Sequence, residues 1–182
     1  MKMNKKVLII SSSPRKGGNS DTLCDQFGKG AEEAGNSVDK IRIAEMKIEY
    51  CSACYACKKL GHCVKQDDMA QVIEKMRHAD VIVLATPVYF YTMCAQMKTM
   101  IDRTLGGAQK AGLKNKEFYL IATAADGKSA MERTVDGLRG YLECLPGAKE
   151  MGVIYGAGVW QLGDIQRNPA MQEAYQMGKN IC

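Results

Sequence analysis

Val7-Leu8-Ile9-Ile10-Ser11-Ser12-Ser13-Pro14-Arg15-Lys16-Gly17-Gly18-Asn19-Ser20 is the stretch whose reading decides the fold. Its four leading apolar residues suit a strand buried on both faces, and the chain from Ser20 onward reads as the opening of a helix. Residues 11–20 between them are crowded with hydroxyls, a guanidinium, two glycines and an Asn. A helix N-terminus offers unpaired backbone N–H groups and the positive end of its dipole, so an anion placed there meets donors that need no rearrangement. Arg15 adds a planar fork suited to phosphate. Taken alone, the loop reads equally well as a polar surface turn with a serine cap. Its spacing is neither that of a P-loop nor the Gly-x-Gly-x-x-Gly of a dinucleotide fold, which turns the reading from ATP and a conventional NAD site toward a mononucleotide.

Outward from this loop, apolar runs and helical patterns alternate, the signature of a mostly parallel sheet covered by helices on both faces. Strands are expected over residues 6–10, 37–43, 81–85, 118–122 and 151–155. Helices are expected over about 19–34, from an Asp67-Asp68 cap to His78, over 92–105 with Gly106-Gly107 closing it, and over 129–142 and 169–178. This order fits an α/β flavodoxin-like three-layer sandwich with a five-stranded parallel sheet of order 2-1-3-4-5, whose ligand crevice lies at the carboxyl ends of strands one and three. Residues 1–182 then form one domain, and residues 44–68 are too long for an ordinary connection and read as a cysteine-bearing insertion. The loops 11–20, 86–91 and 123–127 leave the same sheet edge. The first can hold phosphate, and the second presents Pro87, Tyr89, Phe90 and Tyr91 to a flat aromatic ligand, with core or dimer packing as the competing use of those rings.

Composition agrees with a soluble globular chain. The 182 residues are 46% hydrophobic and 25% charged, and no apolar run approaches the roughly 20 residues of a membrane span. The start Met1-Lys-Met-Asn-Lys-Lys resembles a signal n-region, but the apolar stretch behind it is too short, so no export signal is read and a cytoplasmic location is expected. A net charge of +5 is mild and scattered. Neither a nucleic acid nor a membrane is expected as a partner.

Ser12-Ser13-Pro14-Arg15-x-x-Gly18-Asn19-Ser20 resembles the Gly-Ser-Pro-Arg-x-x-Gly-Asn-Ser/Thr loop of the NADPH-dependent FMN reductase-like branch of flavodoxin-fold proteins. Ala85-Thr86-Pro87-Val88-Tyr89-Phe90, followed by Lys98 and Ile101-Asp102-Arg103, is similar to that branch's second signature. Ser12 stands where the family commonly has Gly, and the tail from Gly156 is matched less closely. The resemblance implies FMN as cofactor, with Ser11, Ser13, Arg15, Asn19, Ser20 and Thr22 around its phosphate. Pro87, Val88, Tyr89 and Phe90 would meet its ring, and Thr123, Ala124, Ala125 and Asp126 its far edge. It also implies NAD(P)H as co-substrate and a homodimer or dimer of dimers.

Cys51-x2-Cys54-x2-Cys57-x5-Cys63 places half of the chain's eight cysteines within thirteen residues. In a reducing compartment such a group serves a metal, a cluster or thiol chemistry before it serves disulfides. Four cysteines ligate either a [4Fe–4S] cluster or a structural zinc, and bare thiols remain a third use. The spacing resembles the compact motif of the iron–sulfur flavoproteins of the same branch. Cys24, Cys94, Cys144 and Cys182 are dispersed and read as small buried hydrophobes. His62 is a weaker metal candidate, His78 suits a helix C-terminus, Lys98 and Asp102 suit an i, i+4 ion pair, and Trp160 falls near the ligand edge.

The leading expectation is an FMN oxidoreductase that passes electrons from NAD(P)H to a small-molecule or protein acceptor, with no side chain named as general base. Its rivals are an iron–sulfur electron carrier and a thiol or zinc sensor on the same scaffold.

Overall fold

Alternation along each buried strand sorts the core into two layers. In the computed structural model, which describes residues 4–105 and 112–181, strand β1 (Lys6–Ser11) sends Leu8 and Ile10 to one face and Val7 and Ile9 to the other, all nearly or fully buried. Strand β3 (Val81–Tyr89) repeats this with Ile82 and Leu84 against Val81 and Val83. A strand covered on both sides has no polar face, which is why these runs are continuously apolar.

Parallel pairing follows the order β2-β1-β3-β5-β6, with β2 at Ser37–Arg42, β5 at Glu117–Thr123 and β6 at Lys149–Gly156. This is the expected 2-1-3-4-5 order once a short strand β4 (Thr92–Met93), which pairs antiparallel with β3 off the main path, is set aside. Helices α3 (Met69–His78), α4 (Ala95–Arg103) and α5 (Glu132–Glu143) cover one face, through residues such as Met76, Met97 and Leu138. Helices α1 (Asn19–Glu33) and α6 (Ala170–Lys179) cover the other, through Leu23, Phe27 and Ala174. A five-residue helix, α2 (Ala56–Leu60), lies within the cysteine segment. No helix among the described residues is long and apolar enough to cross a membrane.

Four expectations change. The loop expected from Thr86 is strand instead: β3 continues through Pro87, opposite Thr123 of β5, because β1 has ended opposite Ala85 and a missing N–H can be absorbed on that flank. The helix expected from residue 92 starts at Ala95, since Thr92 and Met93 turn back along β3. Asp68 does not cap α3 with its side chain, and accepts the Lys47 N–H at 2.6 Å, while Asp67 accepts the N–H groups of Met69 and Glu49 at 3.1 and 3.0 Å. Cys24 and Cys94 are buried as expected, but Cys144 is exposed. Gly106-Gly107 and Cys182 lie outside the described residues.

Helices α1 and α6 touch through two glycines. A methyl group on Gly30 would collide with the Tyr175 carbonyl, and one on Gly178 with the Phe27 carbonyl. Backbone rather than side chains meets at this crossing, so nothing flexible can give way. We expect Gly30→Ala to destabilise the protein by about 1–3 kcal/mol despite the better helix propensity of Ala. Urea unfolding checks this, and a stability at or above that of wild type would show that the helices can separate.

Candidate cofactor cleft and cysteine cavity

Helix α1 begins without a side-chain cap. Gly18 occupies the N-cap position with no capping hydrogen bond, and the Ser20 hydroxyl in the first turn is buried with no hydrogen-bond partner. An uncapped helix start beside an orphaned hydroxyl is a donor set awaiting an acceptor. A Cβ at Gly18 would crowd the Arg15 carbonyl and the Ser13 Oγ at 3.0 Å each, so the loop needs glycine there to close.

The loop is held from beneath. Asp21, with its side chain 5% exposed, accepts from the Ser11 hydroxyl at 2.8 Å and the Gly17 N–H at 3.0 Å, and it pairs with both Lys40 and Arg42. Burial alone would raise the Asp21 carboxyl, but the hydrogen bonds from Lys40, Ser11 and Gly17 prevail and hold it below the usual carboxylate range. Arg42 also reaches the Ser13 carbonyl at 3.4 Å. The partners on β2 are distant in sequence, so no local pattern around the loop points to them.

Above this floor lies a cleft of about 390 Å³, within the range of small-molecule sites. Its walls come from all three expected loops: Ser13, Arg15, Asn19 and Ser20; Pro87, Val88, Tyr89 and Phe90; and Thr123, Ala124, Ala125 and Asp126. Gly18, Tyr91, Ala130, Val159 and Trp160 join them. Two expected residues do not line it. Ser11 is fully buried and turned to Asp21, and Thr22 directs its hydroxyl to the Gly17 carbonyl at 3.4 Å. Asn19 lines the cleft, but its amide is engaged by the loop after β6, donating to the Gln161 carbonyl at 3.0 Å and accepting from Ile165 N–H at 3.3 Å. Arg15 donates to the Trp160 carbonyl at 2.9 Å and sits 5.9 Å from the indole centre.

The opposite wall ends in a two-residue hairpin. Val88 pairs with Met93 and Tyr89 with Thr92, so Phe90 and Tyr91 form the turn, at φ of 50° and 63°. Two consecutive left-handed residues define a type I′ turn, which favours Asn-Gly over aromatic residues. Phe90 is 99% exposed and Tyr91 55%. Neither ring earns its strained backbone through burial.

The four clustered cysteines line a separate, narrow cavity, together with Arg103 from α4 and Lys65. Cys51, Cys57 and Cys63 are half-buried and Cys54 is exposed, its thiol held below the usual range chiefly by the Ala56 N–H. Among the described residues no three Cys, His, Asp or Glu side chains stand where they could hold a single metal ion. His62 is turned to a neighbouring cavity on the far side of Arg103, where no thiol but Cys63 reaches. His78 pairs with Glu74 at 2.8 Å and Lys98 with Asp102 at 2.7 Å, both on exposed helix faces.

A family model described as NADPH-dependent FMN reductase matches residues 5–158. A protein named iron–sulfur flavoprotein from Archaeoglobus fulgidus is 34% identical over 179 residues, covering 97% of this chain and 79% of that protein. One of the same name from Methanosarcina thermophila is 32% identical over 184 residues, covering 97% and 93%. Among solved structures, an NAD(P)H:quinone oxidoreductase from Methanothermobacter marburgensis is similar in fold, with a TM-score of 0.77 at 17% identity over 98% of this chain and 96% of that one.

Two outcomes are expected from this geometry. Replacing the turn by Phe90→Asn with Tyr91→Gly should stabilise the protein by about 1–2 kcal/mol by relieving left-handed strain, read by urea unfolding; a loss of stability would mean that the exposed rings pack. Asp67, 3% exposed at its side chain, is paired with Arg103. Burial would raise its carboxyl, but the Arg103 fork and two backbone N–H groups hold it at about 2. A depressed carboxylate stabilises above its unfolded value and loses that contribution as pH falls toward its folded one. Between pH 5 and pH 2, wild type should therefore lose about 2 kcal/mol more than Asp67→Asn does; equal losses would place the titration elsewhere.

Proposed function

The chain belongs to the NADPH-dependent FMN reductase family and is an oxidoreductase, and we propose that it binds FMN in the cleft between α1 and the β3–β4 hairpin and passes electrons from NAD(P)H to a small-molecule or protein acceptor. The observation that carries this reading is the buried, unpartnered Ser20 hydroxyl at the uncapped start of α1. A phosphate supplies the acceptor that both features lack. FMN, when bound, supplies the hydride and electron chemistry itself.

The chain's part is to grip and orient. Ser20, the first N–H groups of α1 and Arg15 hold the phosphate end, while Asp21, neutralised by Lys40 and Arg42, keeps the loop in shape beneath it. Ser11 acts through the Asp21 carboxylate and Thr22 through the Gly17 carbonyl rather than by touching the ligand. Pro87, Tyr89 and the hairpin rings flank a flat ligand on one side, and Thr123, Ala124 and Asp126 bound it on the other. Trp160, 63% exposed over the mouth, is placed to cover it. The exposed hairpin rings also suit a homodimer in which a second copy closes the cleft.

The cysteine segment favours a second group. Four thiols line one cavity, the ligand number that a [4Fe–4S] centre takes, and relatives of the chain carry the name iron–sulfur flavoprotein. Cys51, Cys54, Cys57 and Cys63 would hold it, and the cluster would supply single-electron transfer.

Flavin fluorescence quenching on FMN-stripped protein tests the first reading. Ser20→Ala should leave the stripped protein as stable as wild type or more so, because it removes an unsatisfied group, while weakening FMN binding by about 1–3 kcal/mol. Unchanged affinity would move the phosphate elsewhere. Iron and zinc analysis after anaerobic reconstitution tests the second, and iron-free protein would overturn it.

A further inference from the structure

We infer that Arg103 is a positioning residue of the cysteine centre, tying both ends of the cysteine segment to α4 and offering its unpartnered Nε–H and its charge to the sulfur of Cys63. The inference rests on the iron–sulfur reading above.

The Arg103 side chain is 1% exposed and that of Asp67 3%. Arg103 Nη1 donates to Asp67 Oδ2 at 2.7 Å and to the Glu49 carbonyl at 2.6 Å, and Nη2 donates to Asp67 Oδ1 at 2.9 Å. Asp67 in turn accepts the Glu49 N–H at 3.0 Å. Glu49 precedes Cys51 and Asp67 follows Cys63, so this single ion pair closes the neck of the segment that carries all four thiols.

A staple needs only the two terminal nitrogens. Nε is left over, buried and with no hydrogen-bond partner. A buried N–H without an acceptor costs on the order of 1–3 kcal/mol, and native proteins leave few such groups without a use. Arg103 lines the same cavity as the thiols, with Cys63 beside its guanidinium. A neutral thiol is a weak acceptor, whereas a metal-bound thiolate carries negative charge and accepts strongly. A four-thiolate cluster is net anionic and becomes more so on gaining an electron, so a fixed cation at its edge favours the reduced state. Lys65 lines the cavity too, but its side chain is 23% exposed against 1% for Arg103, so water screens its charge. Arg103 is thus the buried cation on this wall.

The test compares the anaerobically reconstituted full chain with Arg103→Gln and Arg103→Lys, reading iron per chain and the midpoint potential from a redox titration followed by electron paramagnetic resonance. Arg103→Gln should shift the one-electron equilibrium at least tenfold toward the oxidised form, a potential 59 mV lower. Arg103→Lys, which keeps the charge and loses the fork, should recover part of that shift. If Arg103→Gln fails to fold, Arg103→Lys carries the test alone: without the Nε donor its potential should still lie below that of wild type, and a wild-type potential would overturn the inference. Wild-type iron content with an unchanged potential in the substituted protein overturns the inference and leaves the cluster reading standing. A wild-type chain that takes up no iron overturns both.

Discussion

Parallel pairing forces β1, β3, β5 and β6 to end at one edge, and the chemistry gathers there. Ser11 lies level with Arg42 and Ala85, and Pro87 with Thr123, by register alone. Backbone groups freed where the ladders stop must be satisfied by loops or ligands. Three loops meet at this edge for that reason, and the cleft is the space that they leave. Without the register, the serines, the hairpin and the strip from Thr123 to Asp126 would have no common neighbour.

Charge is then arranged so that the proposed anion site would not repel a phosphate. Asp21 sits in the first turn of α1, where a carboxylate is favoured by the helix dipole but would oppose a phosphate. Its two cationic partners on β2 cancel that charge, and what remains of Asp21 is a set of acceptors that shape the loop from inside. Arg103 and Asp67 repeat the device at the cysteine segment, where a buried pair closes a loop that has little core of its own. Removing either partner of such a pair strands a charge, so each pair specifies a conformation more strongly than it stabilises the fold.

What could be read from the chain divides along the range of the forces. The runs at Val7–Ile10 and Val81–Ala85 announce buried strands because burial on both faces leaves no polar position, and the sheet order follows from the alternation of elements. All three walls of the cleft were legible for the same reason. Ser11 and Thr22 read as ligand groups because a sequence does not reveal which way a hydroxyl points; Ser11 turns inward to Asp21 and Thr22 back to the Gly17 carbonyl. Lys40 and Arg42 gave no signal, being ordinary charges on an edge strand until β2 is laid beside β1. The Phe90-Tyr91 turn was hidden for the opposite reason: its residues contradict the chemistry that its backbone demands, and such disagreement between local preference and structure is typical of functional positions.

Helix α1 joins two regions that seem unrelated. Its first turn lines the cleft, and its last two turns lie against α6 with backbone touching backbone at Gly30 and Gly178. Fifteen residues of helix span about 22 Å, and a helix of that length moves as a rod. Any displacement at Ser20 must therefore carry the far end with it or break the glycine contact. Helix α6 is thus a thrust bearing for the loop before α1: it would limit how far that loop could recoil from a phosphate bound there, from the far end of the helix.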